Sequence, residues 1–256
     1  IKYDVVIVGA GNASLTTAMS ASQSGAKVLV LEKAPHSLRG GNSRFSGGLF
    51  RFAYESLEDL KPLRPDVIPN DWERVEVEPY ASERYLDDIM TTSQGQSSVE
   101  LLQVLTQKSY DTMTWMTDLG VEWDWTALWS DKSKESLRFN PGTVLEAKNK
   151  GVGLMAYLFR AVENSGIEIS YQAKMTGLIQ DQHGGVCGVR VQTPNGKEDV
   201  LTKAVVLASG GFEANAEMRA RYLGTGWDQV KVRGTRYNTG ETLRMALEIG
   251  ARPVGH

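Results

Sequence analysis

One stretch near the start constrains the chain more than any other. Tyr3-Asp4-Val5-Val6-Ile7-Val8 is a short apolar run rich in β-branched residues, the pattern of a strand buried on both faces. Gly9-Ala10-Gly11 then opens a helix predicted over Asn12 to Ser24, which Gly25 stops. A second buried strand, Val28-Leu29-Val30-Leu31, ends in Glu32, 21 residues after Gly11. Strand, glycine turn, helix, strand and acid in this order make the βαβ unit that binds dinucleotides. Gly9 permits the tight turn, and Gly11 lets the backbone approach a pyrophosphate. The helix start, with Asn12 and Ala13, turns its N–H groups and positive dipole end to the phosphates. Glu32 is placed to bond a ribose diol. Ser14 replaces the third glycine of the fingerprint, a position that governs helix–strand packing, where a small side chain costs little. Gly151-Val152-Gly153-Leu154-Met155-Ala156 matches the glycine pattern loosely, but Lys148-Asn149-Lys150 precedes it instead of a strand. It reads as a helix start.

The rest of the composition excludes more than it assigns. A net charge of −3 with both signs dispersed does not indicate nucleic acid as a partner. No apolar run approaches the length of a transmembrane segment, and the first residues do not read as a charged n-region followed by an apolar h-region. The single Cys187 rules out an internal disulfide and any multi-cysteine metal site; lying in Gly185-Val186-Cys187-Gly188-Val189, it reads as a small core residue of a strand. A reducing, cytoplasmic setting is expected. The three histidines fall into no triad or metal-ligand spacing, and His183 sits in a polar turn. H-E-x-x-H, G-x-S-x-G and a Walker lysine are all absent, so no metal site is expected and the catalytic residues stay unassigned. A cofactor site with little catalytic apparatus of its own suits a redox enzyme, in which the cofactor carries the hard chemistry.

Along the chain, a loop from Lys33 to Gly48 carries two glycine pairs, Gly40-Gly41 and Gly47-Gly48, with Asn42, Ser43 and Ser46 between them. Such a backbone can wrap a ligand closely, so a second cofactor contact is expected here. Residues 57 to 80 hold Pro62, Pro65, Pro69 and Pro79 and read as an excursion without regular structure. Ser97-Ser98-Val99-Glu100 matches a capping box, followed by Leu102, Leu105, Met113, Met116 and Leu119 on one helical face. Trp115, Trp123, Trp125 and Trp129 are read as packing beneath an irregular loop. A helix from about Gly153 to Asn164, a strand over Ile167–Tyr171, and two strands joined at Pro194-Asn195-Gly196 come next. Val205-Val206-Leu207-Ala208 reads as a further buried strand, running into Ser209-Gly210-Gly211-Phe212. Asn238-Thr239-Gly240-Glu241 precedes an amphipathic helix. The fold class is therefore α/β: a central parallel sheet with helices on both sides and an antiparallel β-meander. NAD-dependent enzymes of the doubly wound type usually repeat the βαβ unit. With one fingerprint and a ribbon, the residues alone leave both FAD and NAD open.

Val8-Gly9-Ala10-Gly11-Asn12-Ala13, Glu32-Lys33-Ala34-Pro35 and Arg39-Gly40-Gly41-Asn42-Ser43-Arg44-Phe45-Ser46-Gly47-Gly48 resemble the flavoprotein family of fumarate reductase and succinate dehydrogenase. Ala204 to Phe212 and Thr239 to Ala246 resemble later cofactor segments of that family. The likeness spans most of the chain and is weakest between about residues 50 and 145. It implies a Rossmann-like FAD-binding domain over 1–256, with Gly9 to Ser14 at the pyrophosphate, Glu32 on the adenosine ribose, and Lys33 among the cofactor-binding residues. The Gly40–Gly48 loop would run toward the flavin, Ala173 would lie near adenine, and Ser209 to Gly211 would pack against the cofactor. Thr239, Gly240 and Glu241 stand at the T-G-D-G segment, where Glu241 replaces Asp and Thr242 replaces the last glycine. No histidine lies between Ser37 and Gly48, so non-covalent FAD is expected. The family's capping domain and returning segment, which carry its catalytic residues, are expected to lie outside these residues, and no role is given to His256.

The implied reaction is dehydrogenation or reduction of a C–C bond beside carboxylates in a small substrate, with tricarballylate to cis-aconitate as the expected case. An electron acceptor protein or quinone-linked partner is expected to exchange electrons with it. The alternatives are a ketosteroid-type FAD dehydrogenase, a cofactor-binding module inactive without its cap, and an NAD-dependent enzyme.

Overall fold

The computed structural model describes residues 2–126, 129–132 and 136–253; His256 and the Trp129 side chain lie outside what it describes. In chain order, β1 (Tyr3–Val8), α1 (Asn12–Gln23) and β2 (Val28–Glu32) precede 3-10 turns at His36–Leu38, Gly41–Phe45 and Leu57–Leu60. Then come α2 (Pro69–Trp72), β3 (Val75–Glu76), α3 (Ser82–Thr92) and α4 (Val99–Asp118). Four short strands follow: β4 (Trp123–Trp125), β5 (Trp129–Lys132), β6 (Leu137–Phe139) and β7 (Leu145–Ala147). α5 (Lys150–Asn164) leads to β8 (Glu168–Tyr171), β9 (Lys174–Gln180), β10 (Val186–Thr193) and β11 (Gly196–Leu207), with α6 (Ala216–Leu223) and α7 (Glu241–Glu248) last. The chain divides into two compact units, Ile1–Phe45 with Leu158–His256, and Ser46–Tyr157.

The first unit is built on a six-stranded sheet in the order β8-β2-β1-β11-β10-β9. β8, β2, β1 and the second half of β11 run parallel, while β10 and β9 are antiparallel additions. Because side chains alternate along a strand, Val6, Val8, Leu29 and Leu31 share one face. They pack there with Ala173, Met175, Val189, Val191 and Met245 of α7. α1 packs on β1 and β2 and buries Leu15, Ala18 and Met19. Fully burying a side chain such as Leu15 contributes roughly 1.5–3 kcal/mol, so this layer has ample driving force.

Two strand predictions change. The stretch 205–208 is not a separate strand but the end of β11, whose Gly196–Leu201 half pairs with β10 and whose Thr202–Leu207 half pairs with β1. Buried Thr202, at the changeover, donates its hydroxyl to the Tyr3 carbonyl at 3.1 Å. Nor is that end fully buried: Leu207 is exposed because it lines a pocket. Cys187 is half-buried on the ribbon, not in the core, with its thiol 3.6 Å from the Ile179 carbonyl. His183 does lie in an exposed turn, held by its N–H to Asp181.

The second unit holds the short strands and α2 to α4. The stretch 57–80 is more regular than its prolines imply. Asp59 accepts from the Ser56 N–H at 3.0 Å to start a 3-10 turn, and Val75 pairs with Leu137, a partner too distant for a local pattern to reveal. α4 is capped by Ser98, not Ser97, with Leu101 N donating to its hydroxyl, so Glu100 has no reciprocal role. Leu102, Met113 and Met116 are buried as expected, but Leu105 is exposed. Two of the four tryptophans are seen to pack: Trp123 is buried and donates to Thr117, while Trp125 stacks on Phe139 at 5.1 Å and meets Trp72 edge-on.

Candidate functional site

A single connected cavity of about 380 Å³ opens in the first unit, within the usual range of small-molecule sites. Its floor is the carboxyl end of the parallel strands, where ligands of open α/β sheets bind. Val8, Gly9, Ala10, Gly11, Asn12 and Ala13 form one wall, and Ala208, Ser209 and Gly210 another. Gly9 has φ +108, and a Cβ there would stand 2.6 Å from the Ala208 carbonyl oxygen, so the turn requires glycine. Gly11 differs. A Cβ on it would meet Ser43 Oγ at 3.4 Å, an ordinary contact, so the protein itself does not demand glycine there. Gly11 lines the cavity.

Ser14 does not line the cavity but is fully buried behind it, and its hydroxyl donates to the Ala208 carbonyl at 2.9 Å. The residue that breaks the glycine fingerprint thus ties α1 to the end of β11. Ser43 Oγ accepts from the Asn12 N–H at 3.0 Å, and Asn42 Oδ1 accepts from the Thr235 N–H at 2.9 Å. The Gly41–Phe45 turn is thereby pinned between the helix start and residues 234–235. Arg39 braces the same loop: its guanidinium lies 3.9 Å from the Phe159 ring centroid and donates to Tyr171 and Glu163 at 2.6 and 2.5 Å. Ser209 and Thr242 share a hydrogen bond between their hydroxyls.

Charge gathers at one end of the cavity, where Glu32, Lys33, Lys174 and Glu241 all line it. Burial pushes the Glu32 carboxyl above the usual carboxylate range, against the pull of the backbone N–H groups of Ala34, Ala10 and Lys33. Its Oε1 accepts from Ala34 N at 2.7 Å, which fixes the carboxyl at the strand end. Glu241 takes the opposite course. Burial opposes its ionisation too, but hydrogen bonds from Lys33, Thr239 and Lys174 outweigh that and hold its pKa at about 2. Lys33 Nζ is 2.6 Å from one carboxylate oxygen and Lys174 Nζ is 2.9 Å from the other.

Most of the expected cofactor residues come together here. Gly9, Ala10, Gly11, Asn12, Ala13, Glu32, Lys33, Gly41, Asn42, Ser43, Ala173, Ser209, Gly210, Thr239, Gly240 and Glu241 all line the cavity. Gly40 and Gly211 do not, and Ser46, Gly47 and Gly48 fall in the second unit. There Gly48, at φ +70, lets Lys150 pass: a Cβ would come within 2.7 Å of the Lys150 Cα. Gly151 N donates to the Ser46 carbonyl, and α5 starts at Lys150, three residues earlier than the glycine pattern implies. Leu38, Lys174, Met175, Thr235, Asn238 and Thr242 also line the cavity and were not foreseen. Lys174 and Met175 directly follow Ala173, so extending that segment would have found them; Thr235 and Asn238 carry no local signal. Among the described residues, no three His, Cys, Asp or Glu side chains cluster as metal ligands, and no helix is long and apolar enough to cross a membrane.

The sequence profile of the FAD binding domain family matches residues 4–256. The chain belongs to that family. FAD is therefore its cofactor, which settles the choice against NAD. The cavity fits the group: small residues and backbone face it, the N-terminus of α1 opens on it, and Asn12 Oδ1 is buried with no partner among the described residues. The urocanate reductase of Eggerthella lenta is 28% identical over 98% of this chain and 38% of its own length. A probable fumarate reductase of Shewanella frigidimarina is 28% identical over 96% of the chain and 38% of its own. Among solved structures, the open conformation of a flavocytochrome c3 fumarate reductase superposes with a TM-score of 0.77 at 26% identity, covering 97% of this chain and 40% of that one. The chain thus spans well under half the length of these relatives.

Proposed function

We propose that these residues form the FAD-holding part of an oxidoreductase that adds or removes hydrogen across a C–C bond conjugated to a carboxylate. The observation that carries the reading is the fingerprint cavity, walled by Gly9 to Ala13 and Ser209 to Gly210, in a chain similar to fumarate and urocanate reductases. Fumarate and urocanate both present a C=C bond conjugated to a carboxylate. Bound FAD supplies the acceptance or donation of hydride. The chain's own residues anchor and orient it. Gly9 to Ala13 and the dipole of α1 take the pyrophosphate, Glu32 takes the adenosine ribose, and the Gly41–Ser43 turn closes over the helix start. Ser46, Gly47 and Gly48 are proposed as cofactor-binding residues from the family resemblance alone.

Tricarballylate, oxidised to cis-aconitate, is the proposed substrate within this class, and an electron acceptor protein or quinone-linked partner is proposed to complete the cycle. FAD is proposed to bind without a covalent link, since no histidine stands between Ser37 and Gly48. Anaerobic titration of the full protein with tricarballylate should bleach the visible absorbance of the flavin. Reoxidation of dithionite-reduced flavin by fumarate or urocanate, with no bleaching of the oxidised flavin by tricarballylate, would keep the reaction class and discard the substrate. Acid precipitation should leave the yellow colour in the supernatant. Colour carried down with the protein would overturn the non-covalent reading.

A further inference from the structure

We infer that Glu241 is a specificity-determining residue: it neutralises Lys33 and Lys174 and so makes the adenosine end of the cavity reject a phosphate on the ribose. The inference rests on the reading that Glu32 marks the ribose end of the FAD site. Nicotinamide dinucleotide sites built on this fingerprint discriminate there, since an acid at the strand end bonds the ribose diol while a nearby arginine accommodates a 2′-phosphate, and the adenosine ribose of FAD offers the same hydroxyls. This chain sets cations, here lysines, beside the acid. Lys33 follows Glu32 directly, and Lys174 follows Ala173 on the neighbouring segment; both line the cavity. Left free, two ammonium groups at the rim would make a phosphate site.

They are not free. Glu241 gives one oxygen to each lysine, at 2.6 Å to Lys33 and 2.9 Å to Lys174, and Lys33 also donates to Thr239 Oγ1 at 2.7 Å. Gly240, at φ +76, turns the chain so that Glu241 begins α7 facing these lysines. The carboxylate side chain is only 27% exposed, so water screens it weakly from a phosphate placed beside it. Counting Glu32, the cluster holds two cations and two carboxylates, and a phosphate entering it meets no surplus positive charge. Repelling the wrong ligand is as effective a route to specificity as binding the right one. Glu241 therefore acts as a positioning residue: it fixes two cations in a neutral latch rather than touching the reacting atoms.

The test compares ADP-ribose with its 2′-phosphorylated form as ligands of the protein stripped of flavin, measured by calorimetry. Wild type should bind FAD and prefer ADP-ribose. Glu241→Gln, which keeps the side-chain length, should shift the affinity ratio toward the 2′-phosphate by about tenfold, and the shift should shrink as salt rises. Lys174→Ala leaves the carboxylate in excess and should move the ratio the other way, by about threefold. The Lys174→Ala arm decides the matter even where Glu241→Gln fails to fold. Equal ratios in the folded proteins would overturn the assignment. FAD bound by wild type but displaced by neither adenosine ligand would instead refute the ribose-end reading, and the inference with it.

Discussion

Replacing Ser14 by the glycine that a standard fingerprint carries should destabilise this protein. The hydroxyl donates at 2.9 Å to the Ala208 carbonyl, and the Ser14 side chain is fully buried between α1 and the end of β11. A hydrogen bond of this kind contributes about 1 kcal/mol net, and somewhat more where the stranded carbonyl finds no water. Ser14→Ala should therefore cost about 1 kcal/mol. Ser14→Gly adds the backbone entropy of glycine within a helix, roughly 0.5–1 kcal/mol relative to alanine, for a total near 2 kcal/mol. With a urea slope of about 2 kcal/mol per molar, the unfolding midpoint should drop by about 0.5 M for the alanine variant and about 1 M for the glycine variant. Far-UV circular dichroism on the flavin-free protein gives the measurement, because it weights the helices and strands of both units. A glycine variant as stable as wild type would mean that the Ser14–Ala208 bond contributes nothing. An alanine variant worse than the glycine one would mean that strain at this position outweighs helix propensity.

Two further substitutions follow from the same geometry. Gly9→Ala should abolish FAD retention, since its Cβ would stand 2.6 Å from the Ala208 oxygen at φ +108; flavin absorbance after gel filtration reports it, and a yellow variant would refute the close approach. Glu241 predicts a pH dependence. Its folded pKa of about 2 lies below the ordinary value of 4.5, so the stability it contributes is present above 4.5 and is lost as pH falls toward 2. Glu241→Gln should flatten the acid limb of the stability profile in that window; an unchanged limb would show that the pairing with Lys33 and Lys174 stabilises nothing.

The first unit was legible where its signals are local. The β1–α1–β2 run, Gly25 as helix stop, and the hairpin at Pro194-Asn195 each depend on neighbours in sequence, and each stands in the structure as read. The errors came where a partner lies far away. β11 changes partner near Thr202, from β10 to β1, and nothing in its own alternation marks the change. Val75 is a strand residue only because Leu137 comes to it. The cap of α4 slipped by one residue because Ser97 and Ser98 are chemically alike, and the next turn decides between them.

The cavity divides in the same way. Its glycine wall was readable because glycine spacing encodes backbone conformation directly, as the φ of +108 at Gly9 attests. Of its charged end, the family resemblance marked Glu32, Lys33 and Glu241, but not Lys174 or the pairing of Glu241 with both lysines, which lie far apart in the chain. Glu241 stands where the family pattern has an aspartate. In the structure the longer side chain spans two lysines instead, while Thr242 joins its hydroxyl to Ser209. Both residues line the cavity and also bond the protein to itself. Ser14 follows the same logic, giving its hydroxyl to Ala208 where glycine would give only space. A site that departs from its motif at three positions and gains an internal bond at each is expected to hold its shape with the cofactor removed. Comparing hydrogen exchange at Leu207 to Gly210 in flavin-free and flavin-loaded protein checks this: little change supports a preformed wall, and strong protection on loading would mean that FAD builds it.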